Sequence, residues 1–104
     1  MSTTSSTKPT EYAHIVCTPG LFGGEPRIDG HRIRVRDIVA ARDVDGLSAE
    51  EIVQDCYPTL TRAEVYAALA YYEDHRSEIE AFQRAEAEFV ERFKVENPAM
   101  IRKL

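Results

Sequence analysis

Two cysteines, Cys17 and Cys56, are all that this chain of 104 residues carries, and they stand far apart. There is no Cys-x-x-Cys and no histidine at metal-ligand spacing from either thiol. A zinc site is therefore not supported, and two reduced, partly buried thiols in a cytoplasmic protein are expected. No apolar run approaches the length of a membrane span, and Met1–Thr10 lacks a basic-then-apolar leader pattern. The glycines of Leu21-Phe22-Gly23-Gly24 lack the spacing and the following helix that a phosphate-binding loop requires, because Pro26 and a hairpin pattern come next. His14, His31 and His75 fall in different elements, and no acids or histidines converge by spacing. No catalytic residue, metal or cofactor is expected.

What the chain does contain is unevenly placed charge. The formal net charge is −5, too acidic for a nonspecific nucleic-acid binder. Arg27 to Arg42 nevertheless holds Arg27, Arg32, Arg34, Arg36 and Arg42 against Asp29 and Asp37, a local excess of positive charge. Glu73 to Lys94 reverses the sign, with Glu73, Asp74, Glu78, Glu80, Glu86, Glu88 and Glu91 against Arg76, Arg84, Arg92 and Lys94. A basic front and an acidic rear suggest two different partners. A hydrophobic content of 43% suffices for one modest core, so the chain is read as a single domain with appended segments.

Residues 1–11 are Ser/Thr-rich and nearly free of apolar side chains, the composition of a flexible tail. The body spans residues 12–73. Tyr12–Thr18 reads as a strand, closed by Pro19-Gly20. Asp29-Gly30 is the residue pair favoured by a tight type I′ turn, in which both central positions have φ > 0. That turn sets Ile28 opposite His31, Arg27 opposite Arg32 and Pro26 opposite Ile33. Ile28, His31, Ile33 and Val35 then share an inward face, while Arg27, Arg32, Arg34 and Arg36 share the other. The arginine face is either a solvated hairpin surface or one turned to phosphate. Like charges opposed on a sheet cost stability, so the Arg27/Arg32 pair calls for an anion nearby.

Three helices should follow. The first covers about Arg36–Asp45, burying Ile38, Val39 and one of Arg42 or Val44, with Gly46 as its left-handed stop. Ser48-x-x-Glu51 is a capping box opening a helix to Cys56 that buries Ile52, Val53 and Cys56, with Pro58 beyond it. Thr61-x-x-Glu64 opens another, burying Val65, Leu69 and Tyr72. The tight Tyr57–Leu60 link makes the last two a helix-turn-helix arrangement. Residues 74–104 form a C-terminal arm: an amphipathic helix with Ile79, Phe82, Phe89 and Phe93 on one stripe, then Asn97-Pro98 and an apolar, basic end. Ser77-x-x-Glu80 is a third cap pattern, so the chain either breaks near His75 or runs on as one helix. The phenylalanines need cover, from the domain itself, from a homodimer partner or from another protein.

The motif Gly23-Gly24-x-Pro26-x-Ile28-x-Gly30-x-Arg32-Ile33-x-Val35, with Pro19-Gly20 before it and Gly46-Leu-Ser-x-Glu-Glu-Ile52, Tyr57-Pro-x-Leu-Thr61 and Ala67-Ala-Leu-Ala-Tyr71 after it, resembles the small bacterial DUF433 proteins. His31 stands where that family usually has threonine. The resemblance covers Ile15–Tyr72. It implies a homeodomain-like three-helical fold behind the hairpin and the role of an antitoxin similar to VapB-type antitoxins, usually encoded beside a toxin with a PIN-like nuclease domain. On that reading operator DNA is contacted by Arg62 and Tyr66 on the helix after the turn, and by Arg27, Arg32 and Arg34 on the hairpin, from a homodimer. The toxin meets the arm through Phe82, Phe89, Phe93, Met100 and Ile101, with Arg102 or Lys103 offered to the metal-holding carboxylates of the nuclease. Two rivals stand beside it: a homo-oligomeric structural protein without DNA binding, and a winged-helix regulator responding to a small ligand.

Overall fold

The computed structural model describes residues 7–98. Its fold is mainly helical, with a small antiparallel sheet at the N-terminal end. Strand β1 (Lys8–Pro9) pairs with β2 (Ile15–Cys17), which pairs with β3 (Arg27–Ile28), in the order β1-β2-β3. Lys8 lies opposite Cys17 and Ile15 opposite Ile28. Residues 7–10, which composition assigns to a tail, are bound to the body: the Thr7 and Thr18 hydroxyls are 2.8 Å apart, and the Thr10 hydroxyl donates to the Ile15 carbonyl at 2.8 Å. These short polar contacts and the ladder to β2 do what the missing apolar side chains cannot.

Asp29 and Gly30 are the central pair of a turn closed by the His31 amide on the Ile28 carbonyl at 3.0 Å, but it is not the expected type I′. Arg27 bridges Arg34, and the Ile28 amide donates to the Ile33 carbonyl at 2.9 Å, which leaves residues 29–32 in a wider loop. Gly30 alone takes the positive φ, 82°, while Asp29 and His31 do not. The pairing slips by an even step, so Arg27 and Arg34 stay on one face of the ladder and Ile28 and Ile33 on the other. Ile28 and Val35 are fully buried, and Ile33 packs on the core. The chain turns helical at once after the bridge, which puts Arg36 on a helix rather than a strand.

Helix α1 (Val35–Asp43) buries Val35, Ile38, Val39 and Ala41. Val44 is 80% exposed instead of completing the stripe, because the helix closes on Gly46, at φ 72°, whose amide reaches the Arg42 carbonyl at 3.1 Å. Helix α2 starts at the Ser48 capping box (Ala49–Glu51) and widens into a π turn over Ile52–Cys56, where the Tyr57 amide donates to the Ile52 carbonyl. Widening moves later residues off the 3.6-residue stripe. Ile52 stays buried, Val53 is half-buried, and Cys56 faces solvent, contrary to its expected burial.

Helix α3 (Arg62–Asp74) opens on the Thr61 capping box, in which the Glu64 amide reaches the Thr61 hydroxyl at 3.1 Å and the Glu64 carboxylate takes the Thr61 amide at 2.8 Å. It buries Val65, Ala68, Tyr71 and Tyr72, with Leu69 half-buried. The chain breaks at His75 (φ −131°, ψ 36°) and restarts as α4 (Arg76–Glu96) without any side-chain cap from Ser77. One core results, with Ile15, Ile28, Ile38, Ile52, Val65 and Ile79 all fully buried in it.

Ile79 is the buried residue of α4, so it fixes that helix to the body. Ile79→Ala should lower unfolding free energy by about 2–5 kcal/mol in denaturant titration, whereas Val44→Ala should change it by less than about 0.5 kcal/mol.

Candidate functional site

The arginine-rich stretch is the first surface to locate, and most of it is occupied from within. Arg27 wraps back on its own loop: Nη1 donates to the His31 carbonyl at 3.0 Å and Nη2 to the Thr18 hydroxyl at 2.8 Å. Arg34 forks onto Asp37, with Nε–Oδ2 at 3.2 Å and Nη2–Oδ1 at 3.1 Å, while its backbone amide also donates to Asp37. Asp37 holds the Arg34 guanidinium firmly charged. Arg42 pairs with Asp43 and lies 3.6 Å from Glu73.

The organising group is Glu25, only 3% exposed. Arg36 Nε lies 2.8 Å from Glu25 Oε1, an ion contact without hydrogen-bond alignment, and Arg34 Nη1 lies 3.9 Å from Oε2. Burial pushes the Glu25 carboxyl up, and Arg36 and then Arg34 pull it back down. Arg36 also contacts Glu86 on α4, so a single guanidinium joins the turn before β3, helix α1 and the middle of the C-terminal helix. Phe22, held at φ 54° in a conformation that side chains with a Cβ avoid, sets its ring under Arg34 at 5.0 Å and Arg32 at 6.0 Å. Among the described residues Arg32 has no carboxylate within ion-pair distance.

The face carrying Arg62 and Tyr66 is different again. Both are exposed, but Arg62 Nη1 is bound to Glu50 at 2.7 Å, and Glu50, Glu51 and Asp55 are exposed on α2 beside it. Of the five residues expected at DNA, Arg32, Arg62 and Tyr66 reach solvent, and Arg27 and Arg34 are engaged elsewhere. His31 Nε2 lies 3.9 Å from Glu64 Oε2, which brings the hairpin loop to the first turn of α3, where Glu50 and Glu64 stand among the cations.

The arm is the second surface. Ile79 is buried and Phe82 half-buried, and the Arg36–Glu86 contact comes next along the helix. Further on, Phe89 is 58% exposed, Val90 is exposed, and Phe93, half-buried, leans on Phe89 with ring centroids 6.4 Å apart. One stripe thus begins in the core and ends in water. Met100, Ile101, Arg102 and Lys103 lie outside the described residues.

Sequence reasoning missed Glu25, Phe22 and His75. Only Glu25 left a signal, an acid placed directly ahead of the inward-facing Pro26-x-Ile28 segment. Among the described residues no cluster of His, Cys, Asp or Glu could hold a metal ion, and no helix is long and apolar enough to cross a membrane.

A family model described as protein of unknown function (DUF433) matches residues 15–72. The chain is also similar to the crystal structure of a DUF433 member protein from Anabaena variabilis ATCC 29413, at 38% identity and a TM-score of 0.59 over 65% of either chain. A search of curated proteins returns no match.

The burial of Glu25 makes the arginines unequal. Arg36→Ala, which strands that carboxylate, should cost about 3 kcal/mol in chemical unfolding, and Arg32→Ala less than about 0.5 kcal/mol. The double variant Glu25→Leu/Arg36→Leu should recover most of the Arg36→Ala loss, since it removes both buried charges together.

Proposed function

The chain belongs to the DUF433 family, and from that premise we propose that it is an antitoxin: α4 binds and neutralises a PIN-like nuclease toxin, and the helical body contacts operator DNA. The observation that carries this reading is the apolar stripe that leaves the core at Ile79 and continues into solvent at Phe89 and Val90, with Phe93 half-buried against Phe89. An exposed aromatic row on a long helix loses free energy in water and gains it in an apolar groove, and the i, i+4 spacing of Phe89 and Phe93 is the pattern such grooves read. Glu88, Glu91 and Glu96 on the exposed arm favour a groove with a basic rim. The sequence beyond Pro98 supplies Met100 and Ile101 as further anchors and Arg102 or Lys103 as the cation for the nuclease carboxylates.

The DNA half of the proposal is narrower than a ladder of arginines. Helices α2 and α3 are read as a homeodomain-like helix-turn-helix, with Arg62 and Tyr66 at the exposed start of α3 as base-proximal groups. Arg32 is the hairpin arginine left for phosphate. The acids of α2 oppose close approach of a duplex, so a homodimer is needed to make binding useful.

Co-expression with the product of the adjacent gene tests the reading. The wild-type chain should co-purify with a nuclease toxin and block RNA cleavage. Phe89→Asp/Phe93→Asp should fold with unchanged far-UV dichroism and inhibit at least about a hundredfold less well. Equal inhibition by the variant, or the absence of any toxin among the products of adjoining genes, would overturn the proposal.

A further inference from the structure

The break between α3 and α4 places a single histidine among acids from three elements. His75 Nε2 lies 2.7 Å from Glu11 Oε2 on the connection between β1 and β2, and Nδ1 lies 3.1 Å from Glu78 Oε1 on the first turn of α4. The ring stacks on Tyr71 of α3, with centroids 4.0 Å apart and planes at 13°. Tyr71 donates its hydroxyl to Glu78 at 3.2 Å, and Tyr12, edge-on to Tyr71, donates its own to Asp74. Arg76, the next cation along the chain, is engaged with Glu73. Burial, and then the charge of Glu78, hold the Cys17 thiol protonated.

A neutral imidazole has one N–H donor, so it can satisfy only one of two flanking carboxylates and must turn a lone pair on the other. Both contacts are favourable only when both ring nitrogens carry protons. The imidazolium also gains from the face of Tyr71. Without its proton, Glu11, Asp74 and Glu78 are left around a neutral ring with, among the described residues, no other cation paired to them.

We propose that His75 is a protonation-dependent latch, which as the imidazolium pins the β1–β2 connection to the α3–α4 joint and as the neutral ring releases it, so that pH sets how rigidly the C-terminal arm is held to the body. The arm restarts at this joint: the His75 amide donates to the Tyr72 carbonyl at 3.1 Å, and the Ile79 amide donates to the His75 carbonyl at 3.1 Å. A change at the ring therefore acts on the first turn of α4. This latch is independent of what the arm binds.

The pH window follows from the two partners. Glu11 raises the affinity of His75 for its proton, so this contribution is complete below the ordinary value of 6.5 and fades as pH rises through the raised one. His75 in turn lowers Glu11, so that contribution is complete above the ordinary 4.5 and fades as pH falls through the depressed value. The latch is tightest between 4.5 and 6.5.

The test uses the full chain. The His75 ring is titrated by NMR, and intrinsic-rate-corrected amide exchange is read at Ile15–Cys17 and the first turn of α4 at about pH 6 and about pH 8.5. His75 should titrate above an ordinary histidine, and protection should fall by about threefold or more at the higher pH. His75→Arg, which keeps a cation at every pH, should abolish that fall. Glu11→Gln, an exposed change that does not threaten folding, should return the His75 titration toward the ordinary value and cut protection at the lower pH. The latch is overturned if His75 titrates at or below the ordinary value, or if protection in His75→Arg or Glu11→Gln follows pH as in the wild type.

Discussion

A carboxylate taken out of water demands cations, and the burial of Glu25 sets that demand at the centre of this protein. Two guanidiniums answer it from α1 and the residue just before it, and Arg36 carries the connection on to Glu86. The desolvation of Glu25 is large enough to raise its proton affinity despite both neighbours, so the cluster is poised rather than comfortable, and loss of either arginine would leave an ion with no solvent. Its architectural effect is to join the turn ahead of β3, helix α1 and helix α4 at one point. The apolar core does the rest of the holding, with Ile79 closing it from the arm side.

That demand also decides what the surface can do. A run of arginines that would suit a polyanion is spent inward: on Glu25, on Asp37, on the carbonyls of its own loop and on Thr18. The exposed remainder of α2 and α3 is acidic. The surface left unsatisfied is therefore apolar, not cationic, and lies along the outer half of α4. Its inner half is tied to the body at Ile79 and Glu86, and the aromatic stripe it offers lies beyond them.

Local chemistry was readable in the sequence wherever the determining contact is local. The Ser48 and Thr61 capping boxes form as their spacing demands. Gly46 supplies the stop to α1, and the alternation from Ile28 to Val35 sorts inward from outward residues even though the turn is wider than Asp29-Gly30 suggests. The misses have physical causes. A π turn widens α2 and throws Cys56 out to solvent, and no residue pattern marks it. Val44 fits the helical stripe, but the helix ends first. Glu11 and His75 meet only because a strand connection folds over a helix break, and Glu25 finds Arg36 only after the chain has turned from a strand bridge into a helix. Nothing in the spacing of a linear charge run reveals which of its charges will be consumed by a buried partner.

The inward use of the arginines is tested most directly by the salt dependence of duplex DNA binding. Each phosphate neutralised adds roughly −0.9 to the slope of log Kobs against log salt. With Arg32 and Arg62 as the cations that the hairpin and the start of α3 leave exposed, a slope of about −2 per protomer or shallower is predicted for binding through that face. A slope near −4 or steeper would mean that Arg27, Arg34 and Arg36 turn outward to the backbone, and would contradict the account.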